Sequence, residues 1–394
     1  MKICIVVDDY LPESIKAASK MMHELACEYH KLGHSVTVIT PSPFINGKVQ
    51  VLDIDNINVI KFKTGKIKNV SKVKRLLNEM SLSGTAIKSL HDFIKGNPHD
   101  LIVYYSPSIF WGSLVSKLKS EWKCPAYLIL RDFFPQWAID NKIIHEKSLV
   151  TKLLKFYEKK SYDAADRIGV MSPKNLEWFQ NYYKTDKRLE VLFNWTSEVE
   201  LSGKSSYRKK LNLEDKVVFF YGCNIGQAQD MMNIVRLADR LSSNEEAFFL
   251  LIGEGDEYEL VQNAVKERGL KNFMLMPSVS QAEYLEMLSE FDIGLFSLNK
   301  HHQTHNFQGK LLMYMVQGKP LLGSINPGND LKQIVEQYDA GLISINGDDE
   351  TFYQNALKLM DEEKRLTISR NAKVLLSEKF VASSAAKQVL NCIK

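Results

Sequence analysis

A polar run leads into a short apolar helical pattern between His301 and Pro320, in the sequence HHQTHNFQGKLLMYMVQGKP. The first residues show no hydrophobic periodicity, whereas apolar side chains recur at helical spacing from Gly309 onward. Gly318 can adopt the left-handed cap conformation and Pro320 cannot continue a helix, so the pattern predicts that the helix ends there. Lys310 falls in the first turn, where a lysine is favourable only if an anion offsets the helix dipole. These residue types favour an anion site, and a lysine that points into water is the simpler alternative.

A second polar pair, Arg131 and Asp132, follows an apolar run and is surrounded by aromatic residues. Ligands bind outside the carboxyl ends of parallel strands, so a carboxylate here could accept a proton or stabilise developing positive charge. The alternative is a structural ion pair or a turn. The same rule makes the loop Asp8–Ser14, which follows the first apolar run, a candidate wall of a site.

Two glycine-containing loops follow apolar runs in the second half of the chain. Gly222-Cys223-Asn224-Ile225-Gly226 joins a predicted strand to a helix start and can bring backbone N–H groups close to a phosphate. Gly253-x-Gly255 lacks the third glycine of a dinucleotide fingerprint, and we interpret it as a tight turn.

Apolar runs alternate with helical patterns along the whole chain, which predicts α/β domains with parallel sheets. The predicted strands are 2–7, 35–40, 59–62, 101–105, 126–130, 167–172, 189–193, 217–221, 248–252, 273–276, 293–296 and 320–323. The polar stretch 196–206 predicts a linker. We therefore expect an N-terminal domain over 1–200 and a C-terminal domain over 201–375.

Length and composition are those of a folded chain, and 394 residues favour two domains. The first apolar run is too short for a signal peptide, and no window approaches the roughly 20 apolar residues of a membrane span. The five cysteines are scattered and form no CxxC pair, which predicts a reducing compartment without disulfides. We expect a cytoplasmic protein.

Basic charge is concentrated in the first half, where residues 1–200 carry 29 Lys and Arg against 22 Asp and Glu. It is densest from Lys61 to Arg75, a stretch without acidic residues in which Ile, Val and Leu are interleaved. Such a segment can lie on an anionic bilayer, and we favour this interpretation over a solvated helix face. No nucleic-acid partner is expected, because stacking aromatics are missing beyond Phe62.

Motifs in both halves together resemble those of the bacterial family-four glycosyltransferases of GT-B architecture. As this chain carries them, they are DDYLPES, GHSVTVIT, LRDFFPQW, DAADRIGVMS, VLFNW, YGCNIGQAQD, LLIGEGDEYELV, FDIGLFSL and GKLLMYMVQGKP. The resemblance covers nearly the whole chain and implies two Rossmann-like, doubly wound domains that face each other across a cleft. A C-terminal helix at about 376–394 is expected to return to the N-terminal domain. Among family members, the chain is most similar to O-antigen and capsule transferases that handle N-acetyl-L-fucosamine.

This resemblance implies transfer of a sugar from a UDP-sugar to a lipid-linked saccharide. The enzyme is then peripheral on the inner face of the cytoplasmic membrane, with the nucleotide sugar, the lipid-diphosphate-linked acceptor and the anionic bilayer as its partners.

The resemblance also implies roles for individual residues. Lys310 and the Gly222–Gln227 loop would hold the donor diphosphate, and Asp132 would lie near the anomeric carbon. The full set of donor-side residues is Gly222, Asn224, Gly226, Gln227, Glu254, Pro277, Ser278, Val279, His305, Asn306, Phe307, Gln308 and Gly309. Asp9 and Ser14 would approach from the acceptor-side loop.

The chain departs from the family pattern at the donor site. The two glutamates that the family usually places eight residues apart are replaced by His305 and Met313, and the basic residues after the glycine loop by Gln227 and Gln229. Lys310, the helix N-terminus and Arg131 are therefore expected to offset the diphosphate charge, with no metal and no cofactor besides the donor. Asp53-Ile54-Asp55 mimics a metal-binding motif but is expected to lie in a hydrophilic connection outside any sheet.

Two other functions remain open at this point. A UDP-sugar 2-epimerase shares the two-domain plan, but it should show more carboxylates around the sugar than this chain offers. A non-catalytic partner subunit with the same fold is suggested by the missing glutamates.

Overall fold

The computed structural model describes residues 1–14, 16–67, 70–140, 142–184, 187–197, 206–301 and 309–393. It divides the chain into two compact units. The N-terminal unit comprises Met1–Trp195 and Ala382–Lys394, and the C-terminal unit comprises Thr196–Val381. Most of the predicted linker, including the expected boundary at 200/201, lies outside the described residues.

Fourteen strands, numbered along the described chain, build two sheets. They are β1 (Lys2–Val6), β2 (Ser35–Ser42), β3 (Val49–Ile54), β4 (Ile57–Lys63), β5 (Leu101–Tyr105), β6 (Ala126–Leu130), β7 (Arg167–Val170), β8 (Arg188–Val191), β9 (Val217–Gly222), β10 (Ala247–Ile252), β11 (Phe273–Met276), β12 (Ile293–Ser297), β13 (Leu321–Ile325) and β14 (Gly341–Ile345).

Sixteen α-helices are found in the same described ranges. They are α1 (Ala17–Lys31), α2 (Lys72–Ser89), α3 (His91–Gly96), α4 (Gly112–Trp122), α5 (Gln136–Asp140), α6 (Leu149–Ala164), α7 (Pro173–Tyr182), α8 (Tyr207–Lys210), α9 (Met231–Arg240), α10 (Tyr258–Arg268), α11 (Gln281–Glu290), α12 (Gly309–Val316), α13 (Leu331–Gln337), α14 (Asp349–Lys358), α15 (Glu362–Lys379) and α16 (Ala382–Leu390).

The N-terminal sheet has the strand order β3-β4-β2-β1-β5-β6-β7-β8. Its central strands are continuous apolar runs because helices cover both faces of a parallel sheet. Helices α2, α4, α6 and α7 contribute to the core on one face, and α1 and α16 to the core on the other. The chain crosses over between β1 and β5, and open sheets of this kind bind ligands in the crevice at such a point.

The C-terminal sheet is entirely parallel, with the order β11-β10-β9-β12-β13-β14. Alternate side chains of β9 point to opposite faces. Phe219 packs in the core with α9 and α14, while the ring of Phe220 lies 5.6 Å from the ring of Tyr284 on α11. The crossover between β9 and β12 places the crevice of this unit beside the carboxyl end of β9. Both sheets match the α/β architecture that the sequence predicts.

Strands β3 and β14 lie at sheet edges and were not predicted. Strand β3 pairs antiparallel with β4 through the two-residue turn Asp55-Asn56, whose φ angles are 52° and 64°. The expectation that Asp53-Ile54-Asp55 lies outside any sheet is therefore wrong for Asp53 and Ile54, which are the last two residues of this strand. The Asp53 carboxylate accepts a hydrogen bond from the Asn56 backbone. Half-buried and exposed residues dominate β3, so its sequence lacks a buried-strand signal.

The stretch Lys61–Arg75 is not the continuous basic face that its composition predicts. Lys61 is only 2% exposed within β4, where its ammonium group contacts the Glu13 carboxylate at 2.8 Å. Lys63 donates hydrogen bonds to the backbone carbonyls of Pro43 and Ile45. Lys61 is therefore part of the interior, whereas the described start of α2 presents Val73, Lys74 and Leu77 to solvent.

No helix in the described part of the chain is long and apolar enough to cross a bilayer.

Candidate functional site

Two loops interlock at the carboxyl ends of β9 and β10. The Ile225 N–H donates to the Glu254 carbonyl at 2.8 Å, and the Glu257 N–H donates back to the Ile225 carbonyl at 3.0 Å. A side chain at Gly253 would collide with the Cys223 carbonyl, and Gly255 has a φ of 157°. The Gly253-x-Gly255 pair therefore allows close approach of the two loops, which agrees with its interpretation as a turn.

Helix α12 is described from Gly309, the first described residue after the gap at 302–308, and Lys310 follows it. Lys310 is 8% exposed, and among the described residues its ammonium nitrogen has no hydrogen-bond partner. That nitrogen lies 3.9 Å from the centroid of the Tyr221 ring, and burial lowers the pKa of Lys310 to about 8. A buried, unpaired cation is costly unless a ligand compensates it, so the alternative of a lysine in open water is wrong.

Lys310 lines a pocket of about 480 Å³ in the C-terminal unit. The pocket walls come from the ends of β9 and β10, the loop after β11, and helices α11 and α12. The Lys310 ammonium favours an anion there, and so do the backbone N–H groups in the first turn of a helix, which lack intrahelical partners. The pocket is large enough for a small-molecule ligand.

The pocket brings together about half of the predicted donor-side residues. Seven of the predicted residues line it: Gly222, Asn224, Glu254, Ser278, Val279, Gly309 and Lys310. Gly226, Gln227 and Pro277 do not line it; Pro277 lines an adjoining pocket of about 530 Å³ that shares Glu254. His305, Asn306, Phe307 and Gln308 lie outside the described residues.

Other lining residues were not predicted as ligands. Cys223 is the exposed member of the five cysteines and lies in the pocket wall, and Tyr284 enters from α11. Met313, at the position of the missing family glutamate, also lines the pocket. The place of Cys223 inside the glycine loop could have suggested its position, but no local pattern marks Tyr284.

A larger pocket of about 600 Å³ lies in the same unit, near the start of β12 and β13. Two of its three acidic lining residues are bound by Arg208, Glu290 by the backbone N–H and Asp292 by the guanidinium. Lys319 donates to the Ser289 carbonyl at 2.8 Å. We place the candidate site in the smaller pocket, because it lies at the carboxyl ends of the strands and contains the unpaired ammonium group.

Among the described residues, no group of three or more His, Cys, Asp or Glu side chains could hold a metal ion.

In the N-terminal unit, Arg131 follows β6 and is buried. One guanidinium nitrogen donates to the Phe193 carbonyl at 3.1 Å, and the guanidinium carbon lies 5.4 Å from the Trp195 ring centroid. The other two nitrogens have no partner among the described residues. Burial lowers the pKa of Arg131 to about 10. This guanidinium is held by a carbonyl and an indole, so the alternative of an ion pair with Asp132 finds no support in the described residues.

Asp132, the residue after Arg131, is half-buried. Burial raises the pKa of its carboxyl group to about 6, although a hydrogen bond with the Phe133 backbone acts in the opposite direction. A carboxylate with this pKa is mostly ionised at neutral pH and can still accept a proton during a reaction.

The loop after β1 is held by its own contacts. The Asp9 carboxylate contacts Lys16 at 2.9 Å, and the Ser14 hydroxyl accepts a hydrogen bond from Ser19 at 2.9 Å. Ser14 is fully buried. These predicted acceptor-side residues therefore shape the loop.

Asp8 and Tyr105 add to the polar groups at the crossover crevice of the N-terminal sheet. Asp8 follows β1, and Tyr105 is the last residue of the neighbouring strand β5. Strand β6, which leads to Asp132, lies on the other side of β5. Burial raises the pKa of Asp8. Burial also raises the pKa of Tyr105 to about 12; the nearby charge of Arg131 lowers this pKa, and those of Asp8 and Asp132 raise it. The sequence predicted the loop that begins at Asp8 but did not single out Tyr105, which reads as one more apolar strand residue.

Comparison with protein families gives matches in both units. Residues 18–197 match the model Glycosyltransferase Family 4, and residues 215–362 match Glycosyl transferases group 1. The chain is 24% identical over 363 residues to the putative colanic acid biosynthesis glycosyl transferase WcaI of Escherichia coli K12, with 86% of each chain covered.

Two solved structures share the fold over nearly the whole chain. Anabaena HepE in complex with UDP has a TM-score of 0.69 at 15% identity, with 99% of both chains covered. WaaG, a glycosyltransferase involved in lipopolysaccharide biosynthesis, has a TM-score of 0.62 at 13% identity, with 98% of both chains covered. The fold is thus the GT-B architecture, and each of its two units matches a glycosyltransferase family model.

Proposed function

We propose that this chain transfers a sugar from a UDP-sugar to a lipid-linked saccharide in the synthesis of a bacterial surface polysaccharide. The observation that carries the proposal is the buried ammonium group of Lys310, which has no partner in the described residues and lies at the N-terminus of α12 in a pocket of about 480 Å³. A diphosphate carries at least two negative charges. It would accept hydrogen bonds from the Lys310 ammonium and from backbone N–H groups in the first turn of α12.

The donor arrangement follows from the pocket walls. The diphosphate contacts Lys310 and the N–H groups at the start of α12, close to the loop that begins at Gly222. The uracil ring lies toward Ser278 and Val279, where the Ser278 hydroxyl already donates a hydrogen bond to Glu254. Met313 offers no carboxylate for the ribose, so other groups bind the ribose hydroxyls. Glu254 is the carboxylate that lines the pocket, and we assign it this role.

In the proposed reaction, an acceptor hydroxyl oxygen forms a bond to the anomeric carbon while the bond from that carbon to the diphosphate oxygen breaks. The hydroxyl proton goes to the Asp132 carboxylate or to the departing diphosphate. Negative charge develops on the leaving group, and preorganised donors such as the Lys310 ammonium stabilise it. In this proposal the ammonium and the helix N-terminus supply the charge compensation, without a resident metal.

The sugar and the acceptor rest on resemblance. We propose an N-acetylated deoxyhexosamine, such as N-acetyl-L-fucosamine, as the transferred sugar. The names of WcaI and WaaG, which refer to colanic acid and lipopolysaccharide, support an acceptor that belongs to a surface polysaccharide. The complex of HepE with UDP supports a uridine nucleotide as the donor.

A panel of nucleotide sugars, incubated with and without a saccharide-diphosphate-lipid analogue, tests this function. Release of UDP that depends on the acceptor, together with a new glycosidic product, is expected. If the donor sugar is epimerised at C2 in the absence of an acceptor, the protein is an epimerase and the proposal is wrong. UDP binding without turnover of any donor would instead indicate a non-catalytic subunit.

A further inference from the structure

Helix α6 of the N-terminal unit has a second apolar face. Sixteen large hydrophobic side chains are exposed among the described residues, and five of them fall in the stretch 143–156: Ile143, Leu149, Val150, Leu153 and Phe156. Leu149 is 82% exposed and Phe156 is 59% exposed. Scattered exposed hydrophobics are normal on a protein surface, but a concentration of this kind marks an interaction site.

The exposed residues form a stripe along the helix. At about 100° per residue, Leu149, Leu153 and Phe156 lie within an arc of about 60°. We name these three residues the outer stripe. The buried residues Leu154 and Glu158 lie on the opposite side of the helix, toward the sheet. The outer stripe therefore has no role in the core of its own unit.

The inner face of α6 is firmly held. Glu158 accepts hydrogen bonds from the Tyr162 and Tyr182 hydroxyls, at 3.1 and 2.9 Å. Gly112 at the start of α4 lies so close to α6 that an added side chain would meet the Lys160 carbonyl. The helix cannot rotate to bury the outer stripe without breaking these contacts.

The surroundings of the outer stripe are basic. Six lysines occur between 142 and 160, namely Lys142, Lys147, Lys152, Lys155, Lys159 and Lys160, and the one exposed acidic residue in this stretch is Glu146. Lys152 flanks the stripe on one side of the helix, and Lys159 on the same side is ion-paired with the exposed Asp163 of α6 at 2.7 Å. Lysine side chains can extend beside an apolar surface and keep their ammonium groups at the level of lipid phosphates.

We propose that the outer stripe of α6 and its flanking lysines form the surface that docks on an anionic lipid bilayer. Apolar residues on one face with lysines beside them are the pattern of helices that lie in a membrane interface. The charge complements an anionic surface, and a single convex helix face offers no groove for a peptide. We favour this surface over the stretch Lys61–Arg75, whose first lysine is paired with Glu13 inside the fold.

The inference rests on the proposed function for its biological sense, because a lipid-linked acceptor brings the enzyme to a bilayer. Helix α6 follows β6 and the Asp132 loop in the chain, so the docking surface belongs to the unit that carries the acceptor-side residues. Vesicle binding needs neither donor nor acceptor, and it is therefore measured independently of sugar transfer.

Co-sedimentation of the full chain with vesicles tests the proposal. Vesicles of phosphatidylcholine alone are compared with vesicles that also contain phosphatidylglycerol, at low and high salt. Strong binding to the anionic vesicles is expected, and it should weaken as salt rises because charge attraction is screened. The triple variant Leu149→Gln, Leu153→Gln, Phe156→Gln should lose at least about tenfold in vesicle affinity, and Lys147→Gln with Lys152→Gln should lose affinity mainly at low salt.

A matched control changes the other exposed basic and apolar helix surface, with Val73→Gln, Lys74→Gln and Leu77→Gln on α2. Val73 and Leu77 are also strongly exposed. This control should bind vesicles like the unchanged protein, and all variants should keep the unchanged melting temperature because the altered side chains are exposed.

Three results would overturn the proposal. The stripe variant could sediment with anionic vesicles as well as the unchanged protein, the α2 control could lose binding in its place, or the unchanged protein could ignore both kinds of vesicle. If light scattering then shows a dimer that the stripe variant turns into a monomer, the stripe is an interface between two copies of this chain. UDP release with a water-soluble acceptor analogue reports separately whether the proposed transferase function holds.

Discussion

The Lys310 ammonium nitrogen lies 3.9 Å from the centroid of the Tyr221 ring, and among the described residues it has no hydrogen-bond partner. A cation over an aromatic ring is stabilised less than one paired with a carboxylate. The Lys310 ammonium is therefore destabilised in the ligand-free protein. This is expected of a site whose charge is compensated only when an anionic substrate binds.

Replacing Lys310 with methionine should separate stability from function. Lys310→Met is expected to lower turnover at least about a hundredfold, because the leaving diphosphate loses a preorganised charge. The same change should raise the melting temperature of the ligand-free protein at pH 7, because it removes a buried charge. Turnover assays and thermal melts with and without UDP measure both effects.

Lys319→Met is the matched control. Burial lowers the pKa of Lys319 to about 8, as for Lys310, but its ammonium group is bound by a carbonyl outside the candidate site. The shift in melting temperature that UDP causes should survive in Lys319→Met and disappear in Lys310→Met. Near-normal turnover of Lys310→Met would show that Lys310 does not stabilise the leaving diphosphate.

The lowered pKa of Lys310 predicts how stability depends on pH. Its pKa is about 8 in the folded chain and ordinarily 10.5, so the unfolded chain binds more protons between these values. The contribution of Lys310 to the free energy of unfolding therefore rises with pH across that window. Urea unfolding at pH 8 and pH 10 should show that the unchanged protein gains stability relative to Lys310→Met; a constant difference would contradict the lowered pKa.

Cys223 offers a chemical probe of the donor pocket. It is the one exposed cysteine of the five, and it lies in the same pocket wall as Lys310. UDP should slow alkylation of Cys223 by iodoacetamide at least about tenfold, because a ligand buries most of the pocket surface. Mass spectrometry of the labelled peptides measures the rate. The half-buried Cys27 in the other unit serves as the internal control, and equal protection of both cysteines would point to a general loss of flexibility.

Asp132→Asn should greatly reduce transfer and leave UDP binding intact. The carboxyl group has a pKa of about 6 in the folded chain, so the reactive carboxylate forms as pH rises through that value. The acid limb of kcat/KM should therefore have a midpoint near pH 6 and be absent from the residual activity of the variant. Asp140→Asn, which changes an exposed carboxylate on α5, should behave like the unchanged protein. A fully active Asp132→Asn enzyme would exclude a catalytic role for this carboxylate.

The contact between α4 and α6 predicts opposite effects for two glycine substitutions. A side chain at Gly112 would lie 2.5 Å from the Lys160 carbonyl oxygen, whereas one at Gly84 on α2 would meet nothing within 4 Å. Gly112→Ala should lower the free energy of unfolding by about 1–3 kcal/mol through overpacking. Gly84→Ala should raise it by about 0.5–1 kcal/mol through helix propensity. Urea titrations measure both, and a neutral Gly112→Ala would show that α4 and α6 are less tightly held than the structure indicates.

Local sequence patterns determined much of this protein. Apolar runs and helical spacing predicted most strands and the helix α12, because both signals depend on residues a few positions apart. The glycine loop at Gly222 and the anion-favouring position of Lys310 follow from the same local rules. The edge strand β3 escaped prediction because one of its faces is exposed and its apolar pattern is weak.

Tertiary structure decided which charges and faces are free. Lys61 and Lys310 are both lysines in mixed surroundings, yet Lys61 is paired with Glu13, 48 residues away, and Lys310 has no such partner in the described chain. Helix α6 carries apolar residues on two sides, and only its packing against the sheet shows that the side with Leu149 and Phe156 faces outward. The physical reason is that pairing and burial depend on residues distant in sequence, whereas hydrophobic periodicity reports only that a face is apolar and not what covers it.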